Sequence, residues 1–165
     1  MRPVLYLDLD DTLVAWPDGR RGSPRGARGG RDFLRWALER YEVRWLTTWC
    51  PNGRMEPRLL RDLARMLDLP AEALQAIRGL DWSHSQCKLD GIAWMEHVVL
   101  RRPFVWLEDE YGFGDRERSF LDAHGLGGCY LHVNVSTDAD ALRGVHATLR
   151  DAPPALAPGA GSAPS

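Results

Sequence analysis

Four short apolar runs constrain this chain more than anything else in it: PVLYLDL (3–9), EVRWLTT (42–48), RPFVWLE (102–108) and GCYLHV (128–133). A strand with one wet face alternates apolar and polar residues. These runs are continuous and rich in valine and aromatics, so they read as strands covered on both faces. Between them the spacing turns helical. Phe33, Ala37 and Tyr41 step by four, as do Leu59, Leu63 and Leu67; Leu89, Ile92, Ala93 and Val99 share a face, and Leu142, Val145 and Leu149 form a last stripe. RERSFLDAHG reads as a short helix ending on Gly125, and LQAIRGLDW (74–82) holds a weaker fifth strand. Strand and helix in alternation predict an α/β domain with a parallel sheet and right-handed crossovers.

A chain of 165 residues fits one such domain, here residues 1–150, and the aperiodic Pro/Ala/Gly-rich tail at 151–165 is expected to be disordered. A net charge of -2 argues against non-specific polyanion binding by the whole molecule. There is no apolar stretch of membrane-spanning length, and MRPVLYLDLDD turns acidic before a signal-peptide core could form, so the expectation is a soluble, cytoplasmic protein with no membrane partner. Cys50, Cys87 and Cys129 are odd in number and lack C-x-x-C spacing, which suggests reduced thiols rather than a disulfide framework or zinc site.

YLDLDDTLV places Asp8, Asp10 and Asp11 at the end of a run that should be buried. Ionised carboxylates there cost several kcal/mol each unless something neutralises them. A strand period of two turns Asp8 and Asp10 to one side and Asp11 to the other. Such a pair suits a divalent metal, and Mg²⁺ takes one or two carboxylates plus water and substrate phosphate. The carboxyl ends of parallel strands are where α/β sheets bind ligands.

With these residues in view, DLDDTL resembles the first motif of the haloacid dehalogenase superfamily, Asp-x-Asp-x-Thr after an apolar strand. The remaining motifs follow in order over residues 4–110: VRWLTTW with Thr47 and Thr48, the lone lysine Lys88, and FVWLEDE with Glu108 and Asp109. The chain is also similar to small bacterial domains of this type related to those of RNA-repair proteins. The resemblance implies a three-layer α/β/α Rossmann-like fold around a central parallel five-stranded sheet, and a Mg²⁺-dependent phosphatase. Asp8 would be the nucleophile that becomes an aspartyl phosphate. Asp10 would be the general acid and base. Thr47, Thr48 and Lys88 would bind phosphate. Asp8, Asp10 through its backbone carbonyl, and Asp109 would hold the metal, with Glu108 either a further ligand or a supporting residue. The substrate class implied is a phosphorylated molecule, with a nucleotide or nucleic-acid end as a candidate. The alternative is a catalytically degenerate domain that binds a phosphorylated or nucleic-acid partner without turnover.

Lys88 is the only lysine among 21 basic residues; the other 20 are arginine. In a chain that otherwise writes positive charge as arginine, a lysine marks a place where the two are not equivalent. Ser85 is expected to cap a helix in which Lys88 is the third residue, where a cation opposes the helix dipole by roughly 0.3–1 kcal/mol, a cost that is tolerable if the helix N-terminus and the ammonium both face a bound phosphate and the compact ammonium also neutralises Asp8. On that basis, removing the charge should leave stability unchanged or slightly higher.

AWPDGRRGSPRGARGG (15–30) is too polar and glycine-rich for a cap domain, which implies an open site, and the absence of G-K-[ST] excludes a Walker loop. Its Arg20, Arg21, Arg25 and Arg28, with Arg31 just beyond, are expected to crowd the rim, joined by Arg54 and Arg58. Two readings stand for this segment: capture of a phosphate-rich substrate, or a mobile solvated loop. Trp49 could stack a base or simply pack, and His84 reads as a structural loop histidine.

Overall fold

The computed structural model describes residues 2–93, 95 and 102–151. The expectations for Val99 and for the tail beyond Asp151 lie outside them. Five strands form one all-parallel sheet: β1 (Val4–Leu7), β4 (Glu42–Trp45), β5 (Arg78–Gly79), β6 (Phe104–Glu108) and β7 (Tyr130–His132), in the order β5-β4-β1-β6-β7. Each observed strand lies inside one of the apolar runs, and the weak fifth is the two-residue edge strand β5.

β1 is central, pairing Leu5 with Val43 on one side and with Val105 on the other. All four of its residues are fully buried, so the lack of alternation in PVLYLDL reflects two covered faces. The two faces feed separate cores. Leu5 and Leu7 pack with Phe33 of α1 (Gly30–Arg40), Leu63 of α2 (Pro57–Leu67) and Val145 of α6 (Ala141–Asp151). Val4 and Tyr6 pack with Ile92 of α4 (Lys88–Ile92) and Leu121 of α5 (Asp115–Ala123). The result is three layers, helix on sheet on helix. A short helix α3 (Ala71–Gln75) leads into β5.

From β1 the chain builds outward through β4 and β5, then returns across β1 to add β6 and β7. The reversal falls between β1 and β6, and in open α/β sheets the crevice at the carboxyl ends of such a pair is the ligand site. Asp8 lies one residue past β1, and Glu108 and Asp109 end and follow β6.

Residues 15–30 carry a small element that the sequence did not suggest. A small antiparallel hairpin, β2 (Val14–Ala15) with β3 (Arg25–Gly26), closes the segment, and β3 lies against the end of α2. The approach is so close that a Cβ on Gly26 would fall 2.1 Å from the Met66 carbonyl oxygen, which is why glycine stands there. Among the described residues no helix is long and apolar enough to cross a membrane.

Candidate active site

Asp8 leaves the sheet with its backbone still paired, its N–H donating to the Leu107 carbonyl at 3.1 Å. Its Oδ1 accepts from Lys88 Nζ at 2.7 Å, and the same ammonium donates to Glu108 Oε2 at 2.6 Å. Lys88 is only 7% exposed, and Asp8, Glu108 and Asp109 are 4%, 1% and 2% exposed.

This corrects the expectation for Lys88. The residue before α4 is Cys87, extended and without a side-chain cap, so Ser85 is not the N-cap and Lys88 is the first helical residue rather than the third. The expected pairing of the ammonium with Asp8 is present, but the cost is not one of a cation set against a capped helix. The ammonium is the positive centre of a buried ion-pair cluster, and removing it would strand its partners.

Glu108 is fully engaged: Oε2 also accepts from Trp106 Nε1 at 3.2 Å. Gly112 makes the space it needs, since a Cβ there would meet the Glu108 carboxyl carbon at 2.5 Å. Asp109 differs. Its Oδ1 accepts from the Tyr111 N–H at 3.2 Å, while Oδ2 is buried with no hydrogen-bond partner. Asp8, Glu108 and Asp109 can each present an oxygen within 4.8 Å of the others, so three acidic groups share a site in which one ammonium bonds two of them.

That imbalance sets the electrostatics. Burial, then repulsion from Asp8, pushes Asp109 up to about 6 and Glu108 up to about 9. Burial also raises Asp8 against the pull of Lys88. For Lys88 itself burial acts downward, but the carboxylates of Asp8 and Glu108 outweigh it and hold the ammonium above its usual range. The cluster is short of positive charge. A hard divalent cation on Asp8 and on the unpartnered oxygen of Asp109 fits this donor set, because all the available ligands are carboxylate oxygens.

Asp8 and Asp10 both line a cavity of about 430 Å³, with Lys88, Glu108 and Asp109 in its wall. Asp11 turns aside with a left-handed φ of 58°, and Ser136 Oγ donates to its Oδ1. Asp10 is gripped by three donors. Trp16 Nε1 reaches Oδ1 at 2.9 Å, Trp49 Nε1 reaches Oδ2 at 3.0 Å, and Arg20 Nη1 reaches Oδ1 at 2.8 Å. Arg20 also bridges to Asp11 Oδ2 at 2.7 Å.

The two threonines divide. Thr47 is fully buried and its hydroxyl accepts from the Trp49 N–H at 3.3 Å, whereas Thr48 is exposed and lines the cavity. Among the rim arginines only Arg20 reaches the acidic residues. Arg28 approaches Asp140 at 3.7 Å, Arg31 pairs with Asp68, and Arg21 and Arg25 are exposed without an ion-pair partner among the described residues. Arg54 and Arg58 are also exposed and His84 stands in solvent. Trp49 packs half-buried against the core and its ring edge donates to Asp10.

Sequence reasoning missed Trp16, Trp106 and Ser136. Trp16 and Ser136 come from the hairpin and from the loop after β7, and no spacing pattern links either to Asp10 or Asp11. The one available signal was the density of acidic residues at 8–11, which require donors from somewhere. Compared with protein-family models, with curated proteins and with solved structures, the chain finds no match in any of the three.

Proposed function

We propose that this protein is a Mg²⁺-dependent phosphomonoester hydrolase of haloacid dehalogenase type, working through an aspartyl phosphate on Asp8. The observation that carries this reading is the buried cluster at the sheet's switch point. Two carboxyl groups there hold one lysine, a third lies beside them with one oxygen that has no partner, and a cavity opens onto them. A stable protein seldom keeps such a deficit of positive charge unless a cation and a substrate complete it.

In this reading Asp8 uses its carboxylate as the nucleophile. Its oxygen forms a bond to phosphorus as the ester oxygen departs, and Asp10 supplies that oxygen's proton. Water then attacks the phosphorus of the acyl phosphate and gives a proton to Asp10, releasing inorganic phosphate and restoring Asp8. Lys88, 2.7 Å from Asp8, lies where it can also touch the transferring phosphoryl oxygens. Glu108 holds the ammonium rather than the metal, and Thr48 offers a hydroxyl from the cavity wall. Mg²⁺ on Asp8, Asp109 and the Asp10 carbonyl would neutralise charge on the phosphoryl group. Free thiols at Cys50, Cys87 and Cys129 fit a reducing, cytoplasmic setting.

Phosphate release from p-nitrophenyl phosphate, with Mg²⁺ and with chelator, tests the reading. Turnover should need the metal and vanish in Asp8→Asn, whose amide cannot act as nucleophile, while the fold survives because a crowded negative charge is removed. Unchanged turnover in Asp8→Asn would refute the mechanism. One observation favours a second reading, a binding domain without turnover: Arg20 bridges Asp10 and Asp11 and occupies the acid that catalysis needs. Phosphate binding with no release from any ester would decide for it.

A further inference from the structure

Asp10 lies beyond the end of β1, in an isolated bridge with Val14 that holds its backbone but does not orient its carboxylate. Two indoles do. Trp16 Nε1 donates to Oδ1 and Trp49 Nε1 to Oδ2, one tryptophan following β2 and the other in the turn after β4. Each is anchored in turn. The Trp16 N–H donates to Ser136 Oγ at 2.7 Å and its ring lies 5.3 Å from the Arg20 guanidinium carbon, while the Trp49 N–H donates to Thr47 Oγ1. A carboxylate held at one oxygen can still swing about its Cβ–Cγ bond. Held at both from different elements, it cannot rotate without losing a hydrogen bond. An indole N–H is a neutral donor only, so it orients the group without competing for its proton.

The two oxygens are not equivalent. Oδ1 accepts from both Trp16 and Arg20, which uses its two lone pairs; Oδ2 accepts from Trp49 alone and keeps one free. We propose that Trp16 and Trp49 are positioning residues that turn the Asp10 carboxyl so that Oδ2 meets the oxygen leaving phosphorus. The inference rests on the phosphatase reading above. As the phosphorus–oxygen bond breaks, the proton on Oδ2 passes to the departing ester oxygen and the alcohol leaves. When water attacks the Asp8 phosphate, its proton returns to the same oxygen.

Leaving-group dependence tests this, because an ester with a good leaving group barely needs the acid and an alkyl ester needs it fully. The assay is kcat/KM, which reports steps up to the first irreversible one, across aryl phosphates of graded leaving-group basicity and one alkyl phosphate, in the presence of Mg²⁺. Trp49→Phe should lower the alkyl ester's value roughly 10-fold, a part of what general acid catalysis supplies. The p-nitrophenyl ester should fall much less, so the dependence on leaving-group basicity steepens. In an Asp10→Asn background the same substitution should cost almost nothing further. If phenylalanine disturbs folding, a benzothiophene analogue of tryptophan placed at 49 keeps the ring shape and removes only the N–H, and the same steepening is expected. Equal loss on every ester, or an undiminished loss in Asp10→Asn, overturns the inference while leaving the phosphatase reading intact. A parent protein inactive on all of the esters overturns both.

Discussion

Lys88→Met removes the one cation of the buried cluster while roughly conserving side-chain volume. The ammonium lies 2.7 Å from Asp8 and 2.6 Å from Glu108. At an effective dielectric of 20 each contact is worth about 6 kcal/mol of gross Coulomb attraction, most of it offset by the cost of burying the charges. What a measurement reads is the cost of breaking the cluster from one side, about 3–5 kcal/mol, because the stranded carboxylates stay buried. For a domain of this length that is a fall in Tm of roughly 10 °C at neutral pH. The loss should shrink in acid. Glu108, pushed up to about 9, already holds its proton at neutral pH, whereas Asp109, pushed up to about 6, takes one up as pH falls, so the charge stranded in the variant fades in acid. Kinetics should fall with stability here: kcat/KM drops by roughly 10²-fold or more, about 2.7 kcal/mol, if the ammonium meets the transferring phosphoryl group. Lys88→Arg keeps the charge but puts a planar fork into a slot shaped for a compact ammonium, and should recover a minor part of both losses. Thermal unfolding and phosphate release on the three proteins check this together. A methionine variant that melts within a degree or two of the parent would refute the buried-cluster argument, and a fully active arginine variant would remove the meaning of the lone lysine.

The metal-free protein should lose stability as pH rises from the usual aspartate range toward about 6. Asp109 is pushed up to about 6 by burial first and Asp8 second, so the folded state binds its proton more tightly than the unfolded state does, and that advantage is lost as pH passes through the folded value. Urea midpoints across this range should show a slope that Mg²⁺ flattens and that Asp109→Asn reduces; a slope indifferent to both would count against the metal assignment. Gly112→Ala places a Cβ 2.5 Å from the Glu108 carboxyl carbon and should cost about 1–3 kcal/mol of stability together with activity. Gly128→Ala, with open space at its Cβ, is the control and should melt like the parent. Gly26→Ala, whose Cβ would lie 2.1 Å from the Met66 carbonyl, should push β3 off α2 and loosen the hairpin that carries Trp16 and Arg20, seen as faster amide exchange across residues 14–26.

Local rules were enough for the layers of this fold. Continuous apolar runs placed β1, β4, β6 and β7, but burial on both faces holds for β1 and β6 only: β4 alternates half-buried Glu42 and Arg44 with buried Val43 and Trp45, and β7 is an edge strand with His132 exposed. Gly125 stops α5 as expected, with a left-handed φ of 68°. Asp8 and Asp10 were legible as candidates because ionisable groups at the end of a buried strand are costly and need a reason to be there, Lys88 because it is the lone lysine, and Glu108 and Asp109 through the resemblance of FVWLEDE to the family's fourth motif. What spacing could not supply is who faces whom across the chain. The pairing of Lys88 with Asp8, 80 residues away, was expected, but its second contact with Glu108 and the burial of both were invisible to a helix-capping argument that considers only neighbours in sequence. In the same way nothing in the sequence tied Trp49 to Asp10, 39 residues earlier in the chain, whose Oδ2 accepts from its ring N–H. Periodicity and residue chemistry act over a few positions and so reach the elements and the inventory of reactive groups. Pairing among buried polar groups depends on the strand order that brings β1 beside β6, and only the folded chain decides that.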